Sequence, residues 1–126
     1  MKGRVAITNP DVGYKYTDEI AHLKRLGFKA AFLPLECTHD PQKVIATLKG
    51  YDMVLAGPEL YSAEVLDGIG TLRFIARLGT GIENIDIDAA TRRGIAVCNA
   101  PGSNAHSVAQ HVLAFMLDLS LGITQY

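Results

Sequence analysis

Short, nearly continuous apolar runs alternate along this chain with stretches whose apolar residues recur every three or four positions, the two periods that separate strand from helix. Arg4 to Thr8 is the first run, closed by Asn9-Pro10, because a proline holds the residue before it extended and offers no N–H. Ile20, Leu23 and Leu26 then recur at helical spacing, with Thr17 or Asp18 placed to cap a first helix and Gly27 to stop it. Lys29 to Leu35 reads as a second strand in which Pro34 marks an end or an edge. Asp40-Pro41 opens a second helix with Val44, Ile45 and Leu48 on its stripe and Gly50 at its close. Tyr51 to Ala56 is apolar almost throughout, as a strand buried on both faces is, and Gly57-Pro58 ends it. A short helix from Ser62 to Ile69 leads to a strand from Leu72 to Leu78. After Gly79-Thr80-Gly81, Asp86 or Asp88 caps a brief helix that Gly94 ends, and Ile95 to Asn99 forms the fifth strand. The last element starts at Ser103 or Asn104 and is apolar on most of its circumference, so it should be covered by protein on more than one side.

Strand and helix alternating in this way predict an α/β fold: a flavodoxin-like, doubly wound parallel sheet of five strands in the order 2-1-3-4-5, with helices on both faces and an apolar C-terminal helix. Ligands of such sheets gather beyond the carboxyl ends of the strands. The loops to search are Asn9–Gly13, Gly57–Tyr61, Gly79–Asn84 and Asn99–Asn104.

Composition narrows the classes. At 126 residues the chain suits one domain with a real core. A net charge of -1 with scattered Lys and Arg leaves no basic stripe for nucleic acid. Cys37 and Cys98 offer neither a disulfide framework nor a metal-ligand spacing, and fit a reducing cytoplasm; no metal is expected. The apolar run Val5-Ala6-Ile7 is too short for a signal peptide. Val108 to Ile123 is interrupted by Gln110, His111 and Asp118 and falls short of the roughly 20 residues that span a bilayer, so the chain reads as soluble, without a membrane partner.

The glycine turn Gly79-Thr80-Gly81 leaves backbone N–H groups open to a small anion such as a carboxylate, although a tight strand-to-loop turn would use the same residues. Ser103-Asn104 signals a helix N-cap, and Ser107 and Gln110 share one face of the first turns, either facing a ligand or simply solvated. None of the four histidines, among them His39, His106 and His111, sits with an acid and a nucleophile in a recognisable arrangement. Cys98 reads as a small buried apolar residue, and Glu83, Asp86 and Asp88 as helix-capping acids. The dinucleotide fingerprint Gly-x-Gly-x-x-Gly is absent, since Asn84 stands where its third glycine would fall.

From Asp52 onwards the segments YDMVLAGPELYSAEVL, LRFIARLGTGIENIDIDAATRRGIAVCNAPG and SNAHSVAQHVLAFMLDL closely resemble the D-isomer-specific 2-hydroxyacid dehydrogenases, in family order and spacing. The resemblance implies a flavodoxin-like substrate-binding domain over residues 1–103 and an interdomain connecting helix over 104–126, ahead of a Rossmann NAD domain that the sequence does not include. It implies further that Thr80 and Gly81 hold the substrate carboxylate through their N–H groups, that Gly79 shapes the turn, and that Ser107 lies near the nicotinamide. The family's catalytic Arg, Glu and His belong to the NAD domain, so no catalytic residue is assigned here. Two departures stand out: Gln110 replaces a frequent Glu, and Gly57-Pro58-Glu59 lacks the Arg of many phosphoglycerate-type members.

The expectation is therefore the substrate-binding portion of an NAD-dependent oxidoreductase acting on D-2-hydroxy acids, silent on its own. Its expected partners are a small 2-hydroxy or 2-oxo acid, the NAD domain, and a second copy meeting it through helix 104–122, whose apolar surface calls for cover. The alternative is a free-standing flavodoxin-like binding or receiver module without redox activity. Ala56-Gly57-Pro58 lacks the acid a phospho-receiver needs after its third strand, and Thr8 to Gly13 is a poor flavin phosphate loop.

Overall fold

The computed structural model describes residues 2–10, 12 and 17–125. Its elements follow as β1 (Arg4–Ile7), α1 (Thr17–Arg25), β2 (Lys29–Phe32), α2 (Pro41–Leu48), β3 (Met53–Ala56), α3 (Ala63–Ile69), β4 (Phe74–Arg77), α4 (Ile87–Arg92), β5 (Ala96–Cys98) and α5 (Ala105–Leu121), with a 3-10 turn over Ile123–Gln125. The five strands form one sheet in the order β2-β1-β3-β4-β5, parallel throughout, as the alternation predicts. The strands are shorter than their apolar runs. Pro34 falls beyond the end of β2, which lies at a sheet edge where a proline does least harm.

Local chemistry starts and stops the helices. The Asp40 carboxylate accepts from the N–H groups of Gln42 and Lys43, with Pro41 in the first helical position, where its missing N–H costs nothing. Ser62 Oγ accepts from Val65 N–H, and Gly70 closes α3 in the left-handed conformation at φ 67°. Of the two acids offered for α4, Asp86 is the cap, accepting from Ala89 N–H at 2.8 Å, and Asp88 lies inside the first turn. At α5 the expected cap is not made: Asn104 precedes the helix but its side chain accepts no N–H.

Register explains the core. Ala6, Val54 and Ile75 are consecutive partners across β1, β3 and β4, and with Ala56 they face α2, α3 and α4 through Val44, Leu48, Val65, Leu66, Ile69 and Ala89. The opposite face carries Val5, Met53, Phe74 and Ala96 in one row and Ile7, Leu55, Ala76 and Cys98 in the next. Among the described residues α1 and Val12 pack against that side, leaving an apolar cleft of about 220 Å³ lined by Val5, Leu23, Phe28, Met53, Leu55 and Phe74. Two expectations fail for this reason. Strand β3 is not buried on both faces, since Met53 and Leu55 are only half-buried, and Cys98, on edge strand β5, is exposed rather than buried.

Helix α5 departs most from its expected setting. Apolar residues occupy most of its circumference, yet none of its residues is buried and, among the described residues, its one substantial packing partner is the following 3-10 turn. Leu119 is 85% exposed and Leu113 60%, so the protein cover predicted for this helix is not supplied by the described residues. No helix among the described residues is long and apolar enough to cross a membrane.

Candidate functional site

The parallel sheet brings the loops after β3, β4 and β5 to its carboxyl end. The expected loop Asn9–Gly13 after β1 lies partly outside the described residues, at Asp11 and Gly13. At the end of β4, Leu78 N–H still donates to Ala56 O at 3.1 Å, and then Gly79, at φ 141°, turns the chain away from the sheet. A side chain is disfavoured at that angle, and a Cβ there would also stand 3.1 Å from the Arg77 guanidinium. Two bonds from the β5 loop hold the turn: Ala100 N–H donates to Gly79 O at 2.9 Å and Asn99 Nδ2 to Thr80 O at 2.6 Å. With these carbonyls anchored, the N–H groups of Thr80 and Gly81 donate to no acceptor among the described residues. Successive free N–H groups beyond the carboxyl end of a strand make a seat for a small anion.

The charges beside this seat oppose one another. Arg77 lies under Gly79, whereas the exposed Glu83 carboxylate rests where a Cβ of Gly81 would stand. An incoming carboxylate meets one attractive and one repulsive neighbour.

Next to the glycine turn lies a buried polar cluster that the sequence does not announce. Thr8, Glu59 and Tyr61 are each wholly buried. Glu59 Oε1 accepts from Thr8 Oγ1 at 2.5 Å, from the Tyr61 hydroxyl at 2.5 Å and from Gly57 N–H at 3.2 Å, joining the ends of β1 and β3. Glu59 Oε2 has no hydrogen-bond partner among the described residues. Gly57 makes room for this carboxyl: a Cβ there would meet Oε2 at 2.8 Å and the Asn9 backbone at 3.1 Å. Burial pushes the Tyr61 phenol well above its ordinary value, and the neighbouring Glu59 carboxyl pushes it further, with Thr8 and then Arg77 opposing in part.

Asn84 ties the cluster to the turn. Its Nδ2 donates to Glu59 O at 2.7 Å and to Gly57 O at 3.3 Å, while its Oδ1 accepts from Arg77 Nε at 3.3 Å. Its backbone joins in, for Tyr61 N–H donates to Asn84 O at 2.7 Å and Asp86 N–H to Tyr61 O at 2.9 Å, forming a parallel bridge between Tyr61 and Ile85. In the sequence Asn84 stands out only as the residue that breaks a glycine fingerprint. The available signal is faint: Glu59 and Tyr61 stand two apart beyond a strand, and Thr8 lies 51 residues from Glu59.

The remaining candidates stand apart. Ser103, Asn104, Ser107 and Gln110 are exposed, and none has a hydrogen bond to the glycine turn. His111 stacks edge-on against Phe115 at 4.4 Å within α5, and no group of three or more metal-ligating side chains forms among the described residues. The described residues do not fit a dinucleotide by themselves. Asn84 commits its amide to Gly57, Glu59 and Arg77, and Ser107 lies on an exposed helix face with no opposing wall.

Comparison with known proteins bears on the family and the fold. Residues 6–124 match the family model described as D-isomer specific 2-hydroxyacid dehydrogenase, catalytic domain, so the match reaches well before Asp52. A D-3-phosphoglycerate dehydrogenase of Mycobacterium leprae is 42% identical over 87 residues, covering 68% of this chain and 16% of that protein. D-lactate dehydrogenase from Escherichia coli, in its apo form, superposes with a TM-score of 0.73 at 25% identity, over 97% of this chain and 38% of that one. A 3-phosphoglycerate dehydrogenase of Entamoeba histolytica, solved with NAD+ bound, shares the fold with a TM-score of 0.76 at 22% identity, over 94% of this chain and 39% of its own. The chain thus spans only a small part of the length of the curated relatives it matches, 16% in the case of the Mycobacterium leprae protein. A match of this extent leaves the receiver and flavin-module alternatives without support.

Proposed function

The chain belongs to the D-isomer specific 2-hydroxyacid dehydrogenase family, and on that premise we propose that it is the substrate-binding portion of an NAD-dependent oxidoreductase acting on D-2-hydroxy acids. The observation that carries the reading is the pair of N–H groups at Thr80 and Gly81 that no described residue claims, beside the anchored carbonyls of Gly79 and Thr80. A 2-hydroxy or 2-oxo acid presents a carboxylate that accepts both N–H groups, with Gly79 setting the angle of the turn. Its reacting carbon then faces away from the sheet. The proton and hydride transfers fall to groups outside these residues, because no histidine here stands with an acid at the turn.

In this reading residues 1–103 form the substrate domain and residues 104–126 the helix that leads toward a nucleotide-binding domain, with Ser107 near the nicotinamide as the family resemblance implies. The work of such a helix accounts for an α5 that is apolar on most of its circumference yet left uncovered by the described residues. The isolated chain is catalytically silent in this account, works in the cytoplasm with its parent enzyme, and self-associates through α5.

Amide proton shifts test the first point. Titrating the chain with pyruvate should move the Thr80 and Gly81 resonances and few others; unmoved resonances at millimolar pyruvate would overturn the assignment. Incubation with NAD and a panel of D-2-hydroxy acids should yield no NADH. Turnover by the pure chain would place catalytic groups within it after all.

A further inference from the structure

The glycine turn is supported on two sides. Its outer side is held from the β5 loop through Asn99 and Ala100. Its inner side rests on Arg77, whose NH1 donates to Leu78 O, the carbonyl just before Gly79, and whose guanidinium fills the space a Gly79 Cβ would take. A free guanidinium on a flexible stem does not stay in place unaided. The one side-chain acceptor that orients it among the described residues is Asn84 Oδ1, bonded to Nε at 3.3 Å. Asn84 is fixed in turn at its amino end by the carbonyls of Glu59 and Gly57, and these belong to the loop that the buried Glu59 carboxyl pins to Thr8 and Tyr61.

We propose that Asn84 is a positioning residue for the carboxylate seat: its acceptor end holds Arg77 under Gly79, and its donor end braces that hold against the buried Glu59 loop. The inference rests on the reading of Thr80 and Gly81 as the carboxylate seat and adds the residue that sets their geometry. The two ends of one amide do separable work. The oxygen serves the turn, and the nitrogen serves the loop after β3. A side chain that keeps only the oxygen should therefore keep the seat while weakening the fold.

The test uses pyruvate as probe, the Thr80 and Gly81 amide shifts as the binding readout and the thermal midpoint as the folding readout. Asn84→Ala loses both ends, so affinity should fall by about tenfold, as supporting residues around binding sites commonly do, and the midpoint should drop. Asn84→Asp keeps the acceptor for Arg77 and loses the donor, so its midpoint should drop while affinity stays within about threefold of the parent chain. Leu48→Ala, far from the turn in the α2 core, serves as a destabilised control whose affinity should not change. Affinity that follows the midpoint equally in all three variants would show a merely structural role and overturn the proposal, as would an Asn84→Ala chain that binds normally. If Asn84→Ala does not fold, Asn84→Asp decides: retained affinity supports the proposal and a tenfold loss overturns it. Absence of any pyruvate response in the parent chain would instead refute the seat itself, an outcome distinct from failure of its support.

Discussion

The carboxyl end of the sheet has a dry half and a wet half. Over β1 and β3, Thr8, Glu59 and Tyr61 are fully buried and bonded mainly to one another. Over β4 and β5, the glycine turn, Glu83 and the start of α5 face outward, with N–H groups unclaimed and apolar side chains uncovered. Both halves contain a carboxyl group, and the difference in setting decides what each does. Glu59 works as an internal strut whose loss breaks several bonds at once, whereas Glu83 acts through a screened field on whatever approaches Gly81. The dry half should therefore govern stability and the wet half recognition.

The sharpest attempt to break that division is Glu59→Ala. It leaves the Tyr61 hydroxyl without its acceptor and opens a cavity in the interior, while Thr8 Oγ1 keeps Leu55 O and Gly57 N–H keeps Thr8 Oγ1, and should cost about 3 kcal/mol of the roughly 5–15 kcal/mol a domain commands, read by urea denaturation. A loss below about 1 kcal/mol would mean that water readily replaces the carboxyl. Gly57→Ala comes next, at about 1–3 kcal/mol, because the new methyl meets Glu59 Oε2 and the Asn9 backbone at once.

Tyr61→Phe should cost about 1 kcal/mol at neutral pH, through the lost donor to Glu59 Oε1, and it also isolates a pH effect. The folded phenol is raised above its ordinary value of 10.0, so the unfolded chain loses this proton first. The contribution is fully present below about pH 10 and lost as pH rises from there toward the folded value. Denaturation curves across alkaline pH should show that fall in the parent chain, diminished in Tyr61→Phe.

On the wet side, Leu113→Glu should leave the unfolding free energy within about 0.5 kcal/mol, since Leu113 is 60% exposed, while lowering any concentration-dependent mass seen by sedimentation. A substantial loss of monomer stability would show that α5 packs on its own chain. The smallest effect belongs to Glu83→Gln, which removes a repulsive charge beside the seat. Pyruvate affinity should rise by about twofold at low salt and converge with the parent at high salt.

Much of this fold is legible directly in residue order. Apolar runs closed by Asn9-Pro10, Gly57-Pro58 and Gly79-Thr80-Gly81 locate the strands, and Asp40, Ser62 and Asp86 cap the helices that follow the second, third and fourth, because capping is local chemistry. The glycine turn is legible for the same reason. Cys98 is not, because burial depends on what covers a strand, and nothing described covers that face of β5. Asn104 shows the converse: a residue of the right type at a helix start whose backbone, at ψ 2°, does not bring its side chain to the free N–H groups.

By itself, then, the sequence determined the alternation of elements, the parallel order they permit, the position of the glycine turn and the apolar character of α5. Each depends on residues near one another along the chain. Only the tertiary structure decided that Thr8 would meet Glu59 across 51 positions, that Asn84 would carry the β3 loop to Arg77, and that the described residues would leave α5 uncovered. Those outcomes depend on register between strands distant in sequence. Spacing along a chain carries no record of a partner that only folding brings within hydrogen-bond reach.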